Sequence, residues 1–184
     1  MKSWVFQGNK DSFVKVSGEA LNMGNGDFTW ATFLYQDVLR DGPLMEFPGS
    51  VGTKGTHMWI FKNRLFFDLM EKKTNNWLHF ENSKPTAGKW HFVGVSLSVK
   101  TSRLVMWVDG SVREPGPKSK PYAYSRSGPL DMTGDLYIGL RPNDKQYAFT
   151  GKLAGTTMMN YFVDARKTDQ LEALKRDIIK RAGM

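Results

Sequence analysis

Polar and apolar positions alternate with a period of two along Lys89–Leu97 and again along Arg103–Gly110. This predicts two strands joined by a hairpin turn at Lys100-Thr101-Ser102. Val93, Val95, Leu97, Leu104, Met106 and Val108 form one aliphatic face. Trp90, Phe92, Gly94, Ser96, Val105 and Trp107 form the other. A half-buried antiparallel strand carries polar groups on its open face, so a second face rich in aromatics is either covered or used to bind something.

Similar short runs predict strands at Trp4–Phe6, Phe13–Val16, Asp27–Gln36, Leu44–Phe47, Thr56–Lys62, Arg64–Lys72, Trp77–Glu81, Asp135–Leu140 and Gly151–Val163. Along Asp27–Gln36, Phe28, Trp30, Thr32 and Leu34 share one face, and Thr29, Ala31, Phe33 and Tyr35 the other. Asn63 marks a tight turn, and Asp109-Gly110 is a pairing suited to a type I′ turn. Glu114–Leu130 holds four prolines and two glycines, with Lys118, Lys120 and Arg126 set around Tyr122 and Tyr124. It reads as a long irregular loop.

Near the C-terminus the period changes. Leu171, Leu174 and Ile178 fall at helical spacing, Thr168 is placed as an N-cap, and Lys175, Arg176, Lys180 and Arg181 suit the dipole at the end. The organisation expected is one domain over 1–166, followed by an amphipathic helix over 167–184.

The absence of cysteine among the 184 residues excludes disulfides, thiol nucleophiles and zinc–thiolate sites. A net charge of +8 favours anionic partners and also serves solubility. No apolar run approaches the ~20 residues of a membrane helix, and Met1–Gln7 lacks the apolar core of a signal peptide. The chain is therefore expected to be cytoplasmic if complete, and extracellular or surface-associated if it is one domain of a larger protein.

The common catalytic patterns are not met. Gly94-Val95-Ser96-Leu97-Ser98 lacks the second glycine and the strand-to-helix turn of a nucleophile elbow. His57, His79 and His91 have no short metal spacing. Asp68 and Glu71, three apart on one predicted strand, point to opposite faces. Neither Gly24-Asn25-Gly26 nor Gly52-Thr53-Lys54-Gly55 completes a phosphate-binding loop. Catalysis is not expected.

Five segments taken together resemble the laminin G-like domains of the concanavalin A-like lectin/glucanase superfamily. They are Phe6–Val16, Leu21–Thr29, the Lys89–Val95 strand with Val108-Asp109-Gly110, Leu136-Tyr137-Ile138-Gly139, and Phe149-Thr150-Gly151-Lys152-Leu153. The resemblance implies an all-β jelly-roll sandwich of two antiparallel sheets, one concave, with a short C-terminal α-helix. Domains of this kind bind glycans, heparin-like polymers or proteins, and often carry calcium at the rim. In this chain Ala154-Gly155 follows Leu153 where a carboxylate is usual, which argues against the calcium site and leaves Asp11, Asp27 and Asp109 as the candidate ligands. No cofactor is required. The signatures of the hydrolases and lyases on this fold are not found, so such an enzyme is the minor alternative.

The expected function is a non-catalytic, lectin-like module that binds a glycan or glycoprotein on an aromatic concave face. Phe33, Tyr35, His57, Trp59, Phe92 and Trp107 lie opposite the aliphatic face and suit the apolar faces of sugar rings. Tyr122, Tyr124, Arg141 and Asn143 join them from loops, with Arg40, Asp41 and Asp144 at the rim. One alternative is a protein-interaction or adhesion module using the same aromatics. Another is polyanion binding through Lys100, Arg103, Lys118, Lys120 and Arg126. With no reading helix or RNA-binding aromatic motif, specific nucleic-acid recognition is not expected.

Overall fold

A computed structural model describes residues 2–21, 26–49, 55–70, 77–81, 84–101, 103–114, 130–144 and 147–183, with backbone alone for 20 and 77–81. The strands are β1 (Trp4–Gln7), β2 (Val14–Val16), β3 (Phe28–Tyr35), β4 (Gly42–Glu46), β5 (His57–Phe61), β6 (Arg64–Met70) and β7 (Trp77–Glu81). They continue with β8 (Trp90–Ser98), β9 (Arg103–Val108), β10 (Ser111–Arg113), β11 (Leu136–Ile138) and β12 (Thr150–Met159). A short helix α1 (Gly18–Leu21) follows β2, and α2 (Thr168–Ala182) ends the described chain.

Two six-stranded sheets form, in the orders β1-β12-β3-β8-β9-β10 and β2-β11-β4-β5-β6-β7. Their pairings are antiparallel, as expected for the jelly-roll sandwich.

The strand alternation decides what each sheet buries. Val93, Val95, Leu97, Leu104, Met106 and Val108 enter the core between the sheets with Phe28, Trp30 and Leu34. Met58, Ile60, Leu65, Phe67 and Leu69 meet them from the second sheet. Trp30 stands edge-on to Phe67, with centroids 5.6 Å apart at 87°, a favoured aromatic geometry.

The first sheet is buried on its other face too. Ala31, Phe33, Phe92, Val105, Trp107, Ala154 and Met159 pack beneath Leu171, Leu174 and Ile178 of α2. Each of these three helix side chains contributes about 1.5–3 kcal/mol by leaving water. The link to the helix is tied down by polar contacts. Val163 N donates to Ser96 Oγ at 2.8 Å, and Thr29 Oγ1 donates to the Tyr161 carbonyl at 2.7 Å. Arg166 forks onto Asp164 at 2.8 and 2.7 Å.

The sequence reading missed α1 and β10, and local details of a cap and two turns also differ from it. Thr168 is the first residue of α2 rather than its cap: Lys167 occupies the N-cap without a side-chain bond, while Gly183 closes the far end at φ 63°. Lys62 and Asn63, at φ 48° and 60°, form the two-residue hairpin turn with paired left-handed residues. At the β9–β10 turn Asp109 takes φ 53°, but Gly110 lies outside the left-handed region, so the turn is not type I′.

Gly94 shows how tightly the second layer is packed. It pairs with Trp107, whose ring lies over the glycine where a side chain would be, and a Cβ there would also come 2.5 Å from the Trp30 carbonyl oxygen. Gly94→Ala is expected to lower stability by about 1–3 kcal/mol through this overpacking. Urea unfolding measures it, and an unchanged midpoint would contradict the packing described.

Candidate functional site

With both faces of the first sheet occupied, the outer face of the second sheet carries the chemistry. Register aligns one residue from each strand into a row across it: Lys15, Tyr137, Glu46, His57, Asp68 and His79. Pro43, Trp59, Phe66 and Glu81 form the adjacent row. The first row is polar from edge to edge.

Its centre is buried. Glu46, His57 and Asp68 are 0%, 4% and 5% exposed, and buried charges persist only when paired and hydrogen-bonded. His57 Nε2 lies 2.7 Å from Asp68 Oδ2, and its Nδ1 lies 2.9 Å from the Gly55 carbonyl. Trp59 Nε1 donates to Glu46 Oε2 at 3.2 Å, and Arg141 Nε lies 3.6 Å from Glu46 Oε1. Burial pushes the Glu46 carboxyl above the usual range, and the nearby Asp68 charge adds to this. His57, Arg141 and the Trp59 hydrogen bond oppose the shift without cancelling it.

Above this base sits an aromatic–cation stack. The Arg141 guanidinium lies 5.0 Å from the Trp59 ring centroid and 6.0 Å from that of Tyr147, and the two rings are 5.5 Å apart. His57 borders Trp59 on another side at 5.4 Å. Backbone bonds among Arg141, Asp144 and Tyr147 make this possible. Asp144 N bonds the Arg141 carbonyl, with Pro142 second in that turn, and Arg141 N bonds the Tyr147 carbonyl. Asn143 Nδ2 reaches the Pro48 carbonyl at 3.5 Å. Tyr147 is 40% exposed and the Arg141 side chain 16%, so the stack meets solvent through these two.

The site expected from sequence is therefore divided. His57, Trp59, Arg141 and Asn143 come together on the second sheet. Phe33, Phe92 and Trp107 do not join them: at 6%, 2% and 0% exposure they lie on the opposite sheet under α2. The aromatic face is covered, not open, because the stripe of α2 packs on it. Tyr35 shares that outer face beyond the main cluster, stacked on Trp90 at 5.4 Å with Lys152 over its ring. Tyr122 and Tyr124 lie outside the described residues. Glu46, Asp68 and Tyr147 were not foreseen. For Glu46 the available signal was a lone carboxylate inside the otherwise apolar Leu44–Phe47 run, and for Asp68 a carboxylate set between Phe66-Phe67 and Leu69-Met70.

The basic set is divided as well. Arg103 is bound to Glu114 at 2.6 Å and lies 3.7 Å from Asp164, so its charge is already matched. Lys100 is exposed, and Lys118, Lys120 and Arg126 lie outside the described residues. Among the candidate calcium ligands, Asp27 accepts from Val99 N at 2.6 Å and Asp109 from Phe92 N at 2.9 Å. The Asp11 amide bonds Asn9 Oδ1 at 3.1 Å. Among the described residues no three His, Cys, Asp or Glu side chains gather as a metal site.

One arrangement has the outline of a nucleophile, a base and a carboxylate. Thr86 Oγ1 is 3.2 Å from His91 Nε2, and His91 Nδ1 is 2.8 Å from Asp109 Oδ2. The Thr86 main chain engages the same Nε2, with N and O both at 2.9 Å. The imidazole thus ties the 84–88 turn to the β8–β9 hairpin rather than activating the hydroxyl.

No family model and no curated protein sequence matches the chain. Solved structures do match in shape. A candidate carbohydrate-binding protein from Bacteroides ovatus superposes with a TM-score of 0.60 at 15% identity, over 91% of this chain and 46% of that one. Domains LG4-5 of the mouse laminin α1 chain give 0.58 at 17% identity, over 86% and 42%. The CBM40 of the Ruminococcus gnavus IT-sialidase, bound to α2,3-sialyllactose, gives 0.59 at 10% identity, over 81% and 83%. The chain thus spans less than half of the first two and most of the third. It has the concanavalin A-like jelly-roll fold that these domains share, laminin G-like domains among them.

Proposed function

We propose that the protein is a non-catalytic carbohydrate-binding module whose site is the outer face of the second sheet. The observation that carries this reading is the Arg141–Trp59–Tyr147 stack seated on buried Glu46. An exposed Tyr147 ring offers a surface for the apolar face of a sugar. Arg141, restrained by its rings and by Glu46, brings to the stack a guanidinium, the group that pairs most readily with carboxylates. A saccharide with an acidic group fits both. The sialyllactose-bound sialidase module of like fold supports that choice by analogy. A non-catalytic role is supported by the carbohydrate-binding protein and the sialidase's CBM40 module among the structures of like fold.

Binding is tested by a glycan array followed by calorimetry. Arg141→Ala and Tyr147→Ala are expected to weaken saccharide binding by about ten-fold or more each while leaving the fold intact. Arg176→Ala, on the exposed face of α2, should leave it unchanged. Equal binding by all three variants would reject this site.

A second expectation concerns pH. The folded-state affinity of Glu46 for its proton is raised, so the folded protein holds that proton where the unfolded chain has released it. Stability therefore falls as pH rises from the ordinary glutamate range through the folded value. Glu46→Gln removes this term, so its unfolding free energy relative to wild type should improve from pH 4 to pH 7. Urea titrations at the two pH values measure the change. A variant that loses ground as pH rises would contradict the burial argument.

A further inference from the structure

The first sheet ends at β1, and this edge is unlike the others whose side chains are described. β2 is three residues long, and its Lys15 is paired with Asp135 at 2.7 Å. β10 is equally short, with Ser111 and Arg113 exposed. Short strands and charged side chains are how natural sheets blunt an edge. β1, only one residue longer, differs in carrying no charged side chain: it exposes Trp4 by 43% and Val5 by 63%, and Val38, 64% exposed, shares a hollow with Val5.

Backbone direction can be read along this strand. Gly8 N donates inward to the Phe149 carbonyl at 3.0 Å, while Gln7 N donates to Ser12 Oγ at 3.0 Å. By strand alternation Phe6 and Trp4 turn their peptide groups toward β12, and Val5 and Ser3 turn theirs outward. Ser12 therefore closes one end of the edge, and Val5 presents the next outward amide and carbonyl.

Two hollows flank it. One, of 340 Å³, is lined by Lys2, Trp4, Thr156, Thr157, Ile178 and Arg181 among others. The second, of 230 Å³, includes Val5, Val38, Asp37, Arg40 and Lys152. Together the linings hold four cations and one carboxylate. That carboxylate, Asp37, accepts the Tyr35 hydroxyl at 2.9 Å, and Arg181 also pairs with Asp177 at 2.8 Å.

We propose that β1 is a docking edge for an extended acidic segment of another protein, which adds to the first sheet as a further strand. Outward main-chain groups supply the hydrogen bonds, and alternate side chains of the partner fall toward the two hollows. The apolar residues of an alternating strand meet Val5 and Val38, the acidic residues meet Lys2 and Arg181 in the other hollow, and Arg40 and Lys152 add to the positive field along the edge. Charge selects this occupant over a second copy of the chain, which would bring the same cations to the same edge. The surface lies on a different sheet from the saccharide site, and neither depends on the other.

A fluorescein-labelled octapeptide of alternating Glu and Val is the probe, read by fluorescence anisotropy against the whole chain. Saturable binding is expected, with a Lys–Val peptide and a Glu–Pro peptide each about ten-fold weaker or worse, the first for its charge and the second for its missing amides. Val5→Pro removes the outward amide and should abolish binding. Lys2→Glu with Arg40→Glu, which leaves the backbone untouched, should do the same with an unchanged far-ultraviolet circular dichroism spectrum. The proposal fails if the Glu–Val peptide does not bind at low salt, or if the Glu–Pro peptide binds as well. It fails too if the charge-reversed variant keeps its affinity, or if light scattering shows the free chain pairing through this edge.

Discussion

The packing of Trp107 over Gly94, under Ile178 and its neighbours, is the constraint from which the rest follows. A sandwich strand normally buries one face. Here β3, β8 and β9 bury both, one against the second sheet and one against α2. The fold thus contains two apolar layers and uses its most aromatic surface for stability. In the proposed reading recognition falls to the opposite sheet, whose outer face carries the polar row.

That accommodation is electrostatic. Glu46 and Asp68 are held on an outer face yet almost wholly out of water, each beside a cationic or ring-nitrogen partner. Such groups contribute little net stability, because desolvation consumes most of their attraction. Their effect is positional. Glu46 restrains Trp59 and Arg141 from beneath, and backbone bonds among Arg141, Asp144 and Tyr147 bring Tyr147 alongside. Ordering these side chains before a ligand arrives reduces the entropy cost of binding.

Much of the architecture was legible in the residues. The alternation along Lys89–Val108 identified the hairpin and sorted its faces correctly, and the Leu171, Leu174, Ile178 stripe marked the buried side of the helix. What alternation does not reveal is which distant element covers a face. The aromatic surface and the helical stripe lie about 60 to 140 residues apart, and only the tertiary structure joins them. The polar row was only partly legible: the two-residue turn at Lys62-Asn63 sets His57 against Asp68, whereas the pairing of Glu46 with His57 crosses a longer connection and a register shift in β4. Arg141 and Asn143 were found from their loop, whereas Tyr147 gained its role from a turn geometry that its own sequence position did not announce.

The central claim is that saccharide is bound over Trp59 and not over the aromatics beneath α2. The most direct measurement is a proton–nitrogen correlation spectrum of the six tryptophan indoles, titrated with a panel of acidic and neutral saccharides that includes α2,3-sialyllactose. The account predicts that a bound saccharide shifts the Trp59 indole resonance while that of Trp107 stays fixed. A shift of Trp107 or Trp90 with Trp59 unmoved, or no movement of Trp59 with any saccharide, would contradict it.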